Sequence, residues 1–307
     1  MLSFGGRREK QIDPAAGALA QFVSGFSIEV MPRTVAKVED FAALFPAETR
    51  VYVAHIEGTP IEDMVATAKR LSGDGFTVMP HIPARIIENA AMLEEWLNRY
   101  REEAGIDQAL LLAGGVDKPY GEFTSSMDLL ETGLFEKFEF RRLHVAGHPE
   151  GNKDISPDGS TAIMDDALAF KQAYRDRTGI DMAIATQFAF DAKPFIAWAE
   201  RIAANGITLP IHVGIAGPAK LQTLIKYALA CGVGASMRVL QRRAADVTKL
   251  MMPYEPTEML QELAAYVADH PESLIKQVHC FPLGGIRASA EWAARTTGAA
   301  EATAAAK

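Results

Sequence analysis

Residues 181–213 read Asp181-Met-Ala-Ile-Ala-Thr-Gln-Phe-Ala-Phe-Asp-Ala-Lys-Pro-Phe-Ile-Ala-Trp-Ala-Glu-Arg-Ile-Ala-Ala-Asn-Gly-Ile-Thr-Leu-Pro-Ile-His-Val213. A short apolar run at 181–186 has strand length. A helical stripe follows at 193–204, with Phe195, Ile196, Trp198, Ala199 and Ile202 on one side. Asn205-Gly206 stops it. A second short run at 209–213 completes a strand–helix–strand unit.

The same unit recurs on both sides. Strands are expected at 26–31, 50–55, 75–81, 109–113, 142–146 and 277–281 as well. Helices are expected at 34–44, 61–71, 86–100, 125–134, 162–174, 219–230, 257–269 and 289–295. An additional helix is expected at 235–250, after the seventh strand. Strict alternation argues for a parallel sheet. Eight such units in one chain argue for a closed α/β barrel, a (β/α)8 TIM barrel with an extra helix after strand seven. The alternative is an open doubly wound sheet, but no G-x-G-x-x-G opens an early helix. Residues 1–296 read as one domain, with residues 1–20 as an arm or added helix. Residues 297–307 read as a flexible, low-complexity tail.

Composition narrows the function classes. The chain has 307 residues, 49% hydrophobic and 23% charged, which excludes disorder as its main state. No run is long and apolar enough for a membrane span. Lys plus Arg number 31 against 39 for Asp plus Glu, a net charge of −8, and no basic stripe marks a nucleic-acid face. The N-terminus carries no secretory pattern. Two cysteines, Cys231 and Cys280, build no disulfide framework, so a cytoplasmic setting is expected.

Barrel enzymes work at the C-terminal ends of their strands. There the sequence places His81, Asp117, His148, Glu150 and Gln187, and glycine pairs at Gly114-Gly115 and Gly284-Gly285. The glycines either let backbone approach a phosphate or planar ring, or simply make tight turns. Glu29 sits inside strand one between Ile28 and Val30. Such a carboxylate is either satisfied by an Arg or backbone, or has a pKa raised by burial that suits a general acid. The seven histidines are dispersed, with no H-x-x-x-H or H-E-x-x-H, so no metal is expected. A G-x-S-x-G elbow is absent as well.

Taken as a set, these motifs resemble the methylenetetrahydrofolate reductases, over residues 22–290. Phe26-Ser-Ile-Glu-Val-Met-Pro-Arg-Thr34 is similar to the family's F-E-F-x-P-P-[KR]-[TS]. Met79-Pro-His81 is similar to A-H-L-T, and Leu111-Leu-Ala-Gly-Gly-Val-Asp117 to L-A-L-R-G-D. Val145-Ala-Gly-His-Pro-Glu-Gly-Asn152 is similar to V-A-x-Y-P-E-x-H, Ala185-Thr-Gln-Phe-Ala-Phe-Asp191 to I-T-Q-x-F-F-D, and Ile211-His-Val-Gly-Ile215 to I-x-P-G-I.

The resemblance implies a barrel that reduces 5,10-methylenetetrahydrofolate to 5-methyltetrahydrofolate, with FAD as cofactor and NADH or NADPH as reductant. It implies Glu29 as the acid that protonates N10, Gln187 as a contact to folate and nicotinamide in turn, and Asp117 as the acid favouring the iminium form. Gly115 is the alternative occupant of that last position. It implies flavin contacts at His81, Ala113, Gly114, Gly115, His148, Asn152 and Asp166, and substrate contacts at Phe190 and Leu221 besides Glu29 and Gln187. A homo-oligomer is the family's habit. The chain departs from the pattern at His148 for Tyr, Asn152 for His, Gln172-Ala173 for a basic pair, Leu221 for an aromatic, and Val53-Ala-His-Ile56 for T-Y-G-A. Three alternatives stay open: a flavin-independent reductase, a folate-dependent methyl-transfer or demethylation protein on the same barrel, and a non-catalytic folate or flavin carrier.

Overall fold

The computed structural model describes residues 14–233, 236–245 and 252–298. Eight parallel strands close into one barrel in sequence order, β1 pairing with both β2 and β8. They are β1 (Ser27–Val30), β2 (Arg50–Val53), β3 (Thr77–Pro83), β4 (Gln108–Leu112), β5 (Arg142–Gly147), β6 (Asp181–Ala189), β7 (Ile211–Ala216) and β8 (Ile275–Phe281). The barrel expectation therefore holds, and the open sheet is excluded.

The surrounding helices are α1 (Pro14–Val23), α2 (Pro32–Val35), α3 (Ile61–Gly73), α4 (Ala90–Ala104), α5 (Ser126–Glu131), α6 (Leu134–Lys137), α7 (Ala162–Thr178) and α8 (Ala192–Ala204). After β7 come α9 (Leu221–Ala230), α10 (Met237–Ala245) and α11 (Thr257–Asp269), and after β8 comes α12 (Ile286–Thr297). The additional helix after strand seven is α10. Its expected ends at 235 and 246–250 lie outside the described residues, as does 299–307 of the expected tail. The N-terminal arm, where described, is the helix α1, which buries Leu19, Phe22 and Val23 and packs on α11 and α12.

Strand alternation divides the side chains. Ile28, Val30, Val51, Val53, Leu111, Val145, Ile184 and Val213 point outward into the main core under the helices. The barrel interior is different. Its apolar part is a small cluster of Tyr52, Met79, Leu110 and Ala185. Around it sit the buried polar residues Ser27, His81, His144, His212 and His279. Barrel interiors are usually packed with branched aliphatics. Here the outer core carries the hydrophobic stabilisation, at roughly 1.5–3 kcal/mol per fully buried large side chain.

α7 runs on to Thr178, past the expected 174, and α12 starts at Ile286, before the expected 289; three other helices differ for a visible physical reason. The helix expected at 34–44 is the single turn α2, followed by turns. Arg70 of α3 explains it: the guanidinium donates to the carbonyls of Val35, Val38 and Glu39, which a longer helix would need for itself. Phe41 and Phe45 are buried all the same, against Phe76 and Phe26. The helix expected at 125–134 is two short helices, because Gly133 has φ 68°, a left-handed conformation that ends α5 and starts α6. The helix expected from residue 86 starts at Ala90, where the Asn89 side chain accepts from Met92 N–H at 3.0 Å.

Candidate active site

Glu29 lies at the floor of a cavity of about 1370 Å³ at the C-terminal end of the barrel. Its Oε2 faces two imidazoles, His81 Nε2 at 3.4 Å and His279 Nε2 at 3.7 Å. Neither nitrogen has a hydrogen-bond partner among the described residues, so both face the carboxylate at contact distance only. About a fifth of the Glu29 side chain stays open to the cavity. Burial pushes its carboxyl upward, but bonding and charge from His279 and His81 outweigh burial and hold it at about 2. The raised pKa expected of a buried strand carboxylate is thus reversed, because β8 on one side and β3, two strands away on the other, each supply an imidazole. On the far side of His279, Nδ1 meets Ser27 Oγ at 3.0 Å.

Gln187 reaches the same cavity from β6. The β6–β7 register shifts between Ala185 and Phe188, so Thr186 and Gln187 form a bulge. Gly214 of β7 makes room for it. A Cβ at Gly214 would stand 2.3 Å from the Thr186 carbonyl oxygen, and Gly214 N–H donates to Thr186 Oγ1 at 2.8 Å. The bulge aims the Gln187 amide at the Cys231 carbonyl, 2.5 Å away. Replacing Gly214 with Ala drives a methyl group into backbone. It should cost about 1–3 kcal/mol, lowering the urea midpoint at unchanged m; an unchanged midpoint would refute the packing argument.

Gly114 and Gly115 line the cavity where β4 ends, and Phe281, Tyr227 and Cys231 line it from the other side. Partial burial, then the Glu29 carboxylate, push the Cys231 thiol up from its ordinary value. Burial pushes Cys280 up to about 12.

A second cavity of about 640 Å³ adjoins the first at Leu112, which lines both. Ala113, His148, Glu150 and Lys171 line it. Arg85 and Arg201 do too, but Arg85 is committed to the Thr124 and Val116 carbonyls and Arg201 to Asp165. Lys171 is buried, with no hydrogen-bond or ion-pair partner among the described residues. Burial alone lowers it to about 8. Burial, then the Lys171 charge, lower His148 to about 4. An uncompensated buried ammonium in a cavity wall is a charge prepared for an anion.

The structure therefore gathers Glu29, His81, Gly114, Gly115 and Gln187 around one cavity, and Ala113 and His148 around the next. Five expected residues line neither. Asp117 is exposed, because the chain leaves β4 outward and it is Val116 that packs inward. Asn152 spends its side chain on the Asp154 and Ile155 N–H groups of its own turn. Asp166 is exposed, because the buried face of α7 is Leu168, Lys171 and Tyr174. Phe190 and Leu221 are packed with Phe188 and Tyr254 in an apolar cluster beside the site.

Lys171 and His279 were not anticipated. Lys171 carried a readable signal, a lysine three residues after Leu168 on the buried stripe of its helix. His279 carried one only once the barrel was closed, when β8 met β1 with His279 beside Ser27.

No protein-family model matches the sequence. Among solved structures, the chain is similar to the dihydropteroate synthase of Anaplasma phagocytophilum, at 13% identity and TM-score 0.44 over 91% of this chain and 99% of that one. It is similar to the 7,8-dihydropteroate synthase of Vibrio fischeri ES114, at 12% and 0.43 over 90% and 93%. A D-hydantoinase gives 13% and 0.41 over 78% of this chain, which spans about half (51%) of that protein's length. Likeness at this level is one of barrel architecture and carries no argument about activity. Among the described residues no group of three or more His, Cys, Asp or Glu is placed to hold a metal ion, and no helix is long and apolar enough to cross a membrane.

Proposed function

We propose that the chain reduces 5,10-methylenetetrahydrofolate to 5-methyltetrahydrofolate with NADH or NADPH, using FAD. The observation that carries this reading is Glu29 between His81 and His279 on the floor of the large cavity, with Gln187 aimed into it from the β6 bulge. The substrate's CH2 bridge becomes electrophilic only when N10 takes a proton. Glu29 is ionised as it stands. It must therefore take a proton from solvent before it can give one to N10; a pterin ring over it would remove the remaining fifth of its exposure, and that desolvation would push the carboxyl upward and favour the protonated form. The Gln187 amide positions the ring, and the cavity walls exclude water.

FAD, when bound, supplies the hydride chemistry in two halves, one with the nicotinamide and one with the folate. The residues present fit it. Two adjoining cavities suit an elongated dinucleotide, with His81, Gly114 and Gly115 at one end and Ala113, His148 and Lys171 at the other. Lys171 would supply the charge that meets its diphosphate. Lys171→Met should weaken FAD binding about 10- to 100-fold, the loss of one charge-assisted contact, without lowering stability, since it removes a buried charge. Titrating FAD into the stripped protein measures this, and unchanged affinity would remove Lys171 from the site. The exposed Asp166 and the self-bonded Asn152 favour the second reading, a flavin-independent reductase.

One experiment separates the two. An absorbance spectrum is taken before and after anaerobic NADH, then after methylenetetrahydrofolate. Flavin bands that bleach and then return support the first reading. A colourless protein that gains no bands with added FAD overturns it.

A further inference from the structure

Gln187 lines the large cavity and is fixed at both ends. Its backbone sits in the β6 bulge, anchored by the Gly214 N–H on Thr186 Oγ1 at 2.8 Å. Its amide ends on the Cys231 carbonyl at 2.5 Å. That carbonyl is itself held. Cys231 closes α9, and its N–H donates to the Tyr227 carbonyl at 2.9 Å. Gly232 follows with φ 66°, and the Val233 N–H returns to the Ala228 carbonyl at 2.9 Å. Ser236 is tied to the ends of β5 and β6. Its Oγ accepts from the Phe190 N–H at 3.0 Å, and its N–H donates to Glu150 Oε1 at 2.9 Å.

A carbonyl oxygen accepts and cannot donate, so the Gln187 atom that meets Cys231 is the amide nitrogen. Turning the amide over would set two oxygens against each other. The amide oxygen, Oε1, is left without a hydrogen-bond partner among the described residues. It belongs to a half-buried side chain in the cavity wall.

We infer that Gln187 is a specificity-determining residue that shows its amide oxygen to the ligand, and so selects a heterocycle carrying an N–H donor at that point. This rests on the reading of the cavity as a pterin site, and a pterin edge carries ring N–H and exocyclic NH2 groups. The geometry adds the direction of the bond: the protein accepts and the ligand donates. An analogue without that proton leaves the oxygen unpaired and is rejected. The amide is held before the ligand arrives, so little ordering remains to be done on binding.

The test puts a carboxyl in place of the amide. Gln187→Glu keeps the size of the side chain. When protonated, it donates its O–H to the Cys231 carbonyl and leaves its second oxygen for the ligand, as the parent amide does. When ionised, it sets oxygen against oxygen. Ligand binding by the variant therefore takes up one proton. Calorimetric titration with 5-methyltetrahydrofolate at pH 8, 7 and 6 measures this. The ratio of variant to parent Kd should fall about tenfold for each unit that the pH is lowered. The other titratable groups of the cavity wall, Glu29, His55 and His81 from the strand ends and Tyr227 and Cys231 from α9 and its end among them, are common to both proteins and cancel in the ratio. Gln187→Leu offers neither atom and should weaken binding about 10-fold at every pH. In the unliganded parent with 15N-labelled glutamine, the Gln187 amide protons should exchange with water more slowly than those of the exposed Gln222. A Gln187→Glu ratio that stays high and flat with pH, or Gln187 amide protons that exchange as fast as those of Gln222, would overturn the inference. Slow exchange in a protein that binds no folate would support the locked amide while overturning the folate assignment.

Discussion

Glu29→Gln leaves the reduction of bound flavin by NADH within a few-fold of the parent and lowers folate reduction by about 10²- to 10⁴-fold, the usual weight of a general acid. Gln keeps the size of the side chain and can still meet the imidazoles of His81 and His279, 3.4 and 3.7 Å from the parent Oε2. What it lacks is a transferable proton. The nicotinamide half-reaction needs no proton at N10, so the two halves separate. Anaerobic stopped-flow of each half measures the separation. Equal loss in both halves would mean that Glu29 shapes the cavity rather than serving as an acid.

Taking the protein from pH 7 to pH 5 should remove about 5 kcal/mol of stability, a large share of the 5–15 typical of a folded protein. The cause is histidines folded in their neutral form. Burial drives His144 well below its ordinary value of 6.5, His212 to about 3 and His148 to about 4. Folded values below unfolded ones mean that the unfolded chain binds more protons. Stability is therefore full above pH 6.5 and falls steadily beneath it. At pH 5 each such histidine costs about 2 kcal/mol, less for His148, which is partly open to solvent. Glu29 lies outside this window. Its depressed carboxyl contributes stability above about 4.5, lost only as the pH falls toward about 2. Urea unfolding at pH 7, 6 and 5 measures the slope, and a flat midpoint across that range would refute the account.

The architecture was legible because each strand–helix unit announces itself locally. The run at 181–186 and the stripe at 193–204 could be read without knowing their partners. Glu29 stands out against an apolar strand and Gln187 follows one, and both line the large cavity. The helix at 34–44 was not legible. Its apolar period is real, yet what ends it is Arg70, some 30 residues later in the chain and adjacent only after folding. Asp117 and Asp166 show the opposite failure: motif position placed them at the site, while local chain direction turned them to water. The histidines of the interior were the hardest. Seven dispersed residues give no spacing signal, and closure of the cylinder is what makes neighbours of Tyr52 and His144, 92 positions apart.

Arg70 has one more consequence. The turns it holds, between α2 and β2, supply Lys37, Val38, Glu39, Asp40, Ala43 and Leu44 to the wall of the large cavity. Backbone turn bonds such as Val38 N–H to Val35 and Leu44 N–H to Phe41 shape this stretch, and Arg70 and two buried phenylalanines tie it to the body of the barrel. The shape of one wall of the large cavity therefore depends on a guanidinium that belongs to the neighbouring helix and not to the barrel strands.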